Sequence, residues 1–263
     1  DLDGVARAKG EILSGLDAGG VAVLNADDAY FPLWQELAGN RRIITFGMTG
    51  EADVHCDPTQ VETRWTEAGF HSHFVVQTPS GEMTLELALA GRHNLTNALA
   101  AVAAAQALQL PAAAIRQGLA GIQPLRGRLH SRLSPAGFRV VDDSYNANPD
   151  SVAAAIRVLQ SAPGRRWLVL GDLAELGEGA LVLHGRIGSQ ARAAGIDALW
   201  AVGPMSLAAV EHFGHQGRHF DDPVSLIAAL KGQLRAGDTV LVKGSRAAAM
   251  EQVVDALMLG EAH

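Results

Sequence analysis

The chain has 263 residues, of which 48% are hydrophobic and 19% charged, a composition typical of a globular protein with room for two domains. The formal charge of -7 argues against nucleic acid as the main partner, because a nucleic-acid-binding face would show clustered lysines and arginines. Cys56 is the only cysteine, which excludes a disulfide framework and fits a reducing, cytoplasmic interior. We find no signal peptide and no apolar run of membrane-spanning length, and so expect no membrane insertion.

The first half of the chain changes pattern midway. Residues 5–16 repeat apolar side chains at helical spacing, and the chain opens almost directly on this helix, as the rear part of a larger protein would. A strand at 20–25, a helix at 29–38 and a strand at 42–46 then give strand–helix alternation. Alternating apolar and polar residues next predict an antiparallel excursion with strands at 54–56, 63–67, 71–77 and 83–89.

The rest of the chain begins with two helices and a linker and then alternates regularly between strands and helices. Helices are predicted at 91–108 and 111–119, and the glycine- and proline-containing segment 121–129 is the best candidate linker, so we place the domain boundary between residues 125 and 126. The alternation beyond it favours a doubly wound, Rossmann-like domain. Its predicted strands lie near 138 and 219 and at 167–170, 198–202 and 239–242, and its helices at 181–194, near 206, and from 151, 223 and 246 onward.

The most informative stretch is residues 140–151, which place an acidic pair and two amides between a strand and a helix. Enzymes with α/β folds bind ligands at this end of a strand. Asn148 is predicted to cap the helix, with Pro149 in its first turn. Capping does not account for the remaining polar residues of the stretch, Asp142, Asp143, Tyr145 and Asn146.

Further polar groups precede this stretch. Asn94 and Asn97 share a helix face and could read a purine edge, although simple capping by Asn94 or Thr96 explains the pattern as well. Arg128 in the linker could reach a nucleotide's phosphate or ribose, or lie on the surface as most arginines do.

Others follow it. Residues 171–177 carry acids beyond a predicted strand, where turn chemistry is an equal alternative, and His184 could face the same cleft or be structural. Residues 243–246 bring together Lys243, Ser245 and Arg246 at a predicted helix start, a good place for a carboxylate or phosphate. The phosphate-binding spacing GxxxxGK[ST] occurs nowhere in the chain.

Taken together, these segments resemble the Mur ligases of peptidoglycan synthesis. The resemblance runs through the whole chain, and the Asp-Asp-Ser-Tyr-Asn-Ala-Asn-Pro run at 142–149 is far more particular than a generic Rossmann fingerprint. It is carried by residues 9–12, 25–28, 91–97, 127–129, 142–149, 171–177 and 243–246. Folylpolyglutamate synthetases share the frame, but their usual tract after the domain junction does not match this run.

The resemblance implies a fold and an activity. Mur ligases have a UDP-binding domain, a central P-loop ATPase domain and a Rossmann-like C-terminal domain; here residues 1–125 would be the rear part of the central domain and 126–263 the whole of the third. The implied reaction is ATP- and Mg²⁺-dependent amide bond formation through an acyl phosphate, and the match is best to the member that adds D-alanyl-D-alanine to UDP-N-acetylmuramoyl-tripeptide. Because the P-loop is missing, we expect the isolated chain to be inactive.

Residue roles follow from the same resemblance. Lys9 matches the lysine whose carbamate helps to hold magnesium. Asn94 and Asn97 would approach adenine, Arg128 and Asp143 the nucleotide's phosphates and ribose, and Tyr145, Asn146 and Asn148 the dipeptide. Lys243, Ser245 and Arg246 would meet the dipeptide carboxylate or the acyl phosphate. We expect a monomer; the competing hypothesis is a non-enzymatic nucleotide-binding module.

Overall fold

The computed structural model describes residues 2–259. The contacts divide them into two compact units. The first comprises residues up to Arg64 together with His71–Ile122, and the second comprises Trp65–Phe70 together with the chain from Gln123 onward. The described residues form two six-stranded sheets, the first almost entirely within the first unit and the second wholly within the second. No helix among the described residues is long and apolar enough to cross a membrane.

The first unit joins parallel and antiparallel strands in one sheet. Strands β1, β2 and β3 pair in parallel, and β5 continues the sheet by pairing antiparallel with β3 and with β6. This confirms the predicted antiparallel excursion. The strands are β1 (Val21–Asn25), β2 (Arg42–Gly47), β3 (Val54–His55), β4 (Glu62–Thr66), β5 (Gly69–Thr78) and β6 (Gly81–Leu87). The helices are α1 (Leu2–Ser14), α2 (Phe31–Ala38), α3 (Arg92–Ala107) and α4 (Ala112–Ala120).

The second unit is the predicted Rossmann-like domain. Its strand order is β11-β10-β9-β12-β8-β7, parallel except for β7, which pairs antiparallel with β8. The strands are β7 (His130–Leu133), β8 (Arg139–Asp143), β9 (Arg166–Gly171), β10 (Ala198–Val202), β11 (Gly217–Phe220) and β12 (Thr239–Lys243). The helices are α5 (Pro149–Gln160), α6 (Ala180–Ala193), α7 (Leu207–Phe213), α8 (Pro223–Gln233) and α9 (Glu251–Met258).

The central strands of the second sheet are apolar on both faces, as helix-covered parallel strands require. Every residue of β10 and β12 is buried. On one face Val140, Val169 and Val242 join a hydrophobic core with residues of α8 and α9. Burial on both faces leaves the strands' carboxyl ends as the place where polar side chains of this sheet can gather.

Two glycines let helices α6 and α7 approach closely. A Cβ at Gly188 would overlap the backbone carbonyl of Ala209, and one at Gly185 would lie 2.9 Å from the ring of His212. Small residues at these two positions therefore set how near the two helices can pack.

The last helix differs from its prediction. Residues 246–248 form only a single 3-10 turn, Ala249 adopts a left-handed conformation with φ of 47°, and α9 begins at Glu251. The prediction of a helix from residue 246 was therefore wrong at its start. Residues 243–246 therefore do not lead directly into the first turn of α9, contrary to the prediction.

Candidate functional site at the carboxyl end of β8

Asp142, the penultimate residue of β8, organises the turn that follows it. Its side chain is completely buried. One carboxylate oxygen accepts hydrogen bonds from the Ser144 hydroxyl at 2.6 Å and the Ser144 amide at 3.2 Å, and the other accepts from the Gly127 amide at 3.0 Å. Three donors satisfy the buried charge and tie the linker to the end of the strand.

Asp143, on the opposite face of the strand, forms a buried ion pair with Lys243 from the neighbouring strand β12. The Lys243 ammonium donates to the carboxylate at 2.7 Å and to the Asn146 carbonyl at 3.0 Å, while the Leu129 amide donates to the carboxylate at 3.1 Å. The lysine side chain is only 2% exposed. Burial raises the pKa of Asp143, and the Lys243 charge and the Leu129 amide oppose that rise.

Arg128 and Tyr145 form the exposed part of this site. The guanidinium carbon of Arg128 lies 4.5 Å from the centre of the Tyr145 ring, and the Tyr145 amide donates to the Gly127 carbonyl at 3.0 Å. Gly127 has φ of 78°, and a Cβ there would lie 3.0 Å from the backbone nitrogen of Tyr145. The stacked arginine keeps its N–H groups available at the rim, as recognition of a phosphate or carboxylate requires.

The two amides of the stretch have different surroundings. Asn148 caps α5 as predicted: its side chain accepts from the Ser151 amide at 2.8 Å, and the Ser151 hydroxyl accepts from the Asn148 amide at 3.0 Å. Asn146 is exposed, and its side-chain oxygen accepts from the next amide, that of Ala147. The Asn148 oxygen thus serves the helix, and its amide nitrogen is the part suited to an incoming ligand.

The acid that follows β9 also has a structural partner. Asp172 accepts hydrogen bonds from the amides of Met205 at 3.2 Å and Ser206 at 2.8 Å. His184 is completely buried; its Nε2 accepts from the Leu173 amide, so Nδ1 carries the proton and donates to the Ala180 carbonyl. The structural interpretation of His184 is the one that the geometry supports, and Asp172 secures the loop that follows β10.

The side chains of Lys243, Ser245 and Arg246 lie in three different surroundings. Lys243 points into the ion pair with Asp143, Ser245 is buried with its amide donating to the Asp172 carbonyl, and Arg246 is exposed and paired with Glu251 at 3.0 Å. The structure therefore does not bring the three side chains to one anion-binding point. Of the three, only Arg246 is displayed on the surface.

The predicted residues of the first unit lie on α1 and α3. Lys9 is exposed on α1, immediately before the buried Gly10. Asn97 is exposed on α3, whereas Asn94 is half-buried and donates through Nδ2 to the Ala90 carbonyl at 2.8 Å. Neither Asn94 nor Thr96 caps this helix, because its N-cap is Gly91 and no side chain bonds there. The alternative that Asn94 or Thr96 caps the helix is not supported by this geometry.

Sequence reasoning missed the partners of the acidic pair. It placed Asp142 in the site without a role and assigned none to Ser144. The available signal was the Asp-x-Ser spacing, which lets an aspartate accept both the amide and the hydroxyl two residues on. The linker amides, 14 and 15 residues away in sequence, carried no such signal.

Two parts of the chain match domains of a known protein family. Residues 1–105 match the Mur ligase middle domain, and residues 127–246 match the glutamate ligase domain of Mur ligases. The chain therefore belongs to the Mur ligase family, in agreement with the resemblance seen in its sequence. Within that family it is 43% identical over 258 residues to the UDP-N-acetylmuramoyl-tripeptide–D-alanyl-D-alanine ligase of Escherichia coli, covering 97% of this chain and 56% of the relative.

Solved structures give the same fold. The corresponding ligase of Acinetobacter baumannii superposes with a TM-score of 0.85 at 32% identity, covering 97% of this chain and 55% of that one. The MurF ligase of Thermotoga maritima in complex with ADP gives 0.77 at 24% identity, covering 92% and 54%, and shows likeness of fold alone. The chain thus spans little more than half the length of these relatives.

Proposed function

We propose that this chain is the central and C-terminal part of an ATP-dependent ligase that joins D-alanyl-D-alanine to UDP-N-acetylmuramoyl-tripeptide. The observation that chiefly supports the proposal is the carboxyl end of β8, where Arg128, stacked on Tyr145, adjoins the buried Asp143–Lys243 pair. An exposed, permanently charged guanidinium on a fixed aromatic support is suited to the phosphates of a nucleotide.

The chemistry demands positioning and charge neutralisation. In the proposed reaction the carboxylate of the tripeptide precursor attacks the γ-phosphorus of ATP, releasing ADP and forming an acyl phosphate; the amine of the dipeptide then displaces phosphate. We assign Arg128 to the nucleotide's phosphates, Asn94 and Asn97 to adenine, and Tyr145, Asn146 and Asn148 to the dipeptide. Arg246, exposed, is our candidate for the dipeptide carboxylate.

Lys243, Asp143 and Ser245 are buried, which limits the roles that we propose for them. Asp143 and Lys243 neutralise each other, so contact of either with the nucleotide or dipeptide requires the pair to open. While the ion pair is intact, its role is to hold the turn that follows β8 against β12. Ser245 would act through the loop that its amide fixes to Asp172.

Lys9 is the residue that we propose for magnesium binding. Among residues 2–259 no group of three or more histidine, cysteine or acidic side chains is arranged to hold a metal ion. The exposed Lys9 would contribute as its carbamate, beside the phosphates of ATP, which are usual ligands of Mg²⁺. Replacing Lys9 with alanine in the full-length enzyme should lower turnover, and short carboxylic acids should restore part of it; unchanged turnover would exclude this role.

The decisive experiment measures phosphate release by the full-length protein that contains this chain. Release should require ATP, the UDP-linked tripeptide and D-alanyl-D-alanine together, and single amino acids should not replace the dipeptide. The 263-residue chain alone should give no release. Activity with a different amine would refute the substrate, and tight ADP binding without any ligation by the full-length protein would favour a nucleotide-binding module instead.

A further inference from the structure

The linker is held at two amides, one on each side of Arg128. The Gly127 amide donates to Asp142 at 3.0 Å, and the Leu129 amide donates to Asp143 at 3.1 Å. The two acceptors are consecutive residues at the end of β8, so their side chains leave opposite faces of the sheet. The backbone that carries Arg128 is thereby fixed from both faces.

The conformation held in this way is unfavourable for an unconstrained chain. Gly127 has φ of 78°, and Leu129, which carries a side chain, has φ of 50°. Residues other than glycine occupy this left-handed region only when their surroundings enforce it, and such residues concentrate at functional sites. Here the enforcing contacts are the two hydrogen bonds to the acidic pair and the burial of the Leu129 side chain.

The result is a preset orientation of one exposed cation. The same short segment accepts the Tyr145 amide at the Gly127 carbonyl and places the guanidinium of Arg128 4.5 Å from the centre of the Tyr145 ring. A long arginine side chain has considerable rotamer freedom when unsupported. Fixing its backbone and stacking its guanidinium on the Tyr145 ring reduces that freedom before any ligand binds.

We propose that Asp142 is a positioning residue for nucleotide binding, acting through the orientation of Arg128. Asp142 has no exposed surface, so it cannot touch a ligand itself. Its carboxylate holds Gly127 with one oxygen and Ser144 with the other, and so joins the linker to the turn that carries Tyr145. The proposal rests on the proposed ATP-dependent function and adds to it a residue that sets the affinity for the nucleotide.

Asparagine is the sharpest replacement for Asp142. It keeps the size of the side chain but has a single acceptor oxygen, so it can satisfy either the Gly127 amide or the Ser144 donors, but not both. Ser144→Ala is the matched control, because it removes only the hydroxyl bond to the same carboxylate and leaves the bonds from the Gly127 and Ser144 backbone amides in place.

The test is a double-mutant cycle in the full-length enzyme with Asp142→Asn, Arg128→Ala and their combination. Asp142→Asn should raise the KM for ATP about tenfold, the size expected for loss of one hydrogen bond to a charged group, with kcat changed less than about twofold. In the Arg128→Ala background the same substitution should have no further effect on that KM. Ser144→Ala should leave the KM for ATP near the wild-type value.

Additive effects of Asp142→Asn and Arg128→Ala, or an unchanged KM in Asp142→Asn, would overturn the proposal. If Asp142→Asn does not fold, Gly127→Ala tests the same link, because its Cβ would lie 3.0 Å from the backbone nitrogen and the Cβ of Tyr145. Its effect on KM should likewise vanish without Arg128. Absence of dipeptide-dependent phosphate release by the wild-type enzyme would refute the proposed function instead, so the two failures are distinguishable.

Discussion

Replacing Lys243 with methionine should destabilise the second unit strongly and in a pH-dependent way. Methionine fills similar space but leaves Asp143 buried with only the Leu129 amide, and removes the donor to the Asn146 carbonyl. Since the two paired side chains are 2% and 12% exposed, we expect a loss of about 3 kcal/mol at pH 8, at the lower end of the range for breaking a buried ion pair.

The pH dependence follows from the direction of the Asp143 pKa. Burial already raises this pKa in the folded protein, and loss of the lysine charge should raise it further. A carboxyl group with a folded pKa above its unfolded value binds protons in the folded state that the unfolded state has released. Stability of the variant should therefore fall as the pH rises through that window, and the cost of Lys243→Met should be larger at pH 8 than at pH 5.

Urea unfolding followed by tryptophan fluorescence measures this loss in the second unit, which contains Trp65, Trp167 and Trp200. The control is Lys231→Met on the exposed face of α8, which should stay within about 0.5 kcal/mol of wild type. The double variant Asp143→Asn/Lys243→Met should lose less stability than Lys243→Met alone, because no unpaired charge is left buried at the site of the ion pair. Equal losses for Lys243→Met and Lys231→Met, or a loss independent of pH, would refute the reasoning.

Two further predictions concern the same unit. Burial, together with the charge of Arg132, lowers the pKa of His130, so the unfolded state takes up a proton before the folded state does as the pH falls below about 6.5. Thermal melting should therefore show that His130→Asn loses less stability than wild type between pH 7.5 and 5.5. Gly188→Ala should cost about 1–3 kcal/mol by forcing α6 from α7, while Gly232→Ala, with nothing within 4 Å, should be neutral or stabilising in the same urea titration.

Much of the fold could be predicted because short stretches of the sequence indicate their own secondary structure. The buried strands of the second sheet are short apolar runs separated by helical spacing, and Asn148 with Pro149 marks the start of α5 directly. Strand β7 gave no comparable signal, since it has only four residues and includes His130 and Arg132. The left-handed Ala249 was equally hidden, because alanine has no preference for that conformation and only the packing around it imposes it.

The site was less predictable for a different reason. Which residues gather at the carboxyl end of β8 follows from strand order, but which of them face solvent depends on partners far away in sequence. Lys243, placed by its sequence neighbours beside a helix start, turns inward to an aspartate 100 residues earlier. A local sequence pattern does not predict such a distant pairing. For the same reason, neither the exposure of Arg128 nor the burial of Asp142 could be deduced from the sequence around them.

The antiparallel pairing of β7 with β8 has a consequence for how the site forms. The linker contacts of Asp142 and Asp143 span only 15 and 14 residues, and the strands between are joined by a short turn, so this part is a local structure. The Lys243 contact spans 100 residues and requires the parallel sheet to be complete. Local contacts form faster than distant ones. We therefore expect the linker segment that carries Arg128 to pack against the end of β8 early in folding, and the Lys243–Asp143 ion pair to form last.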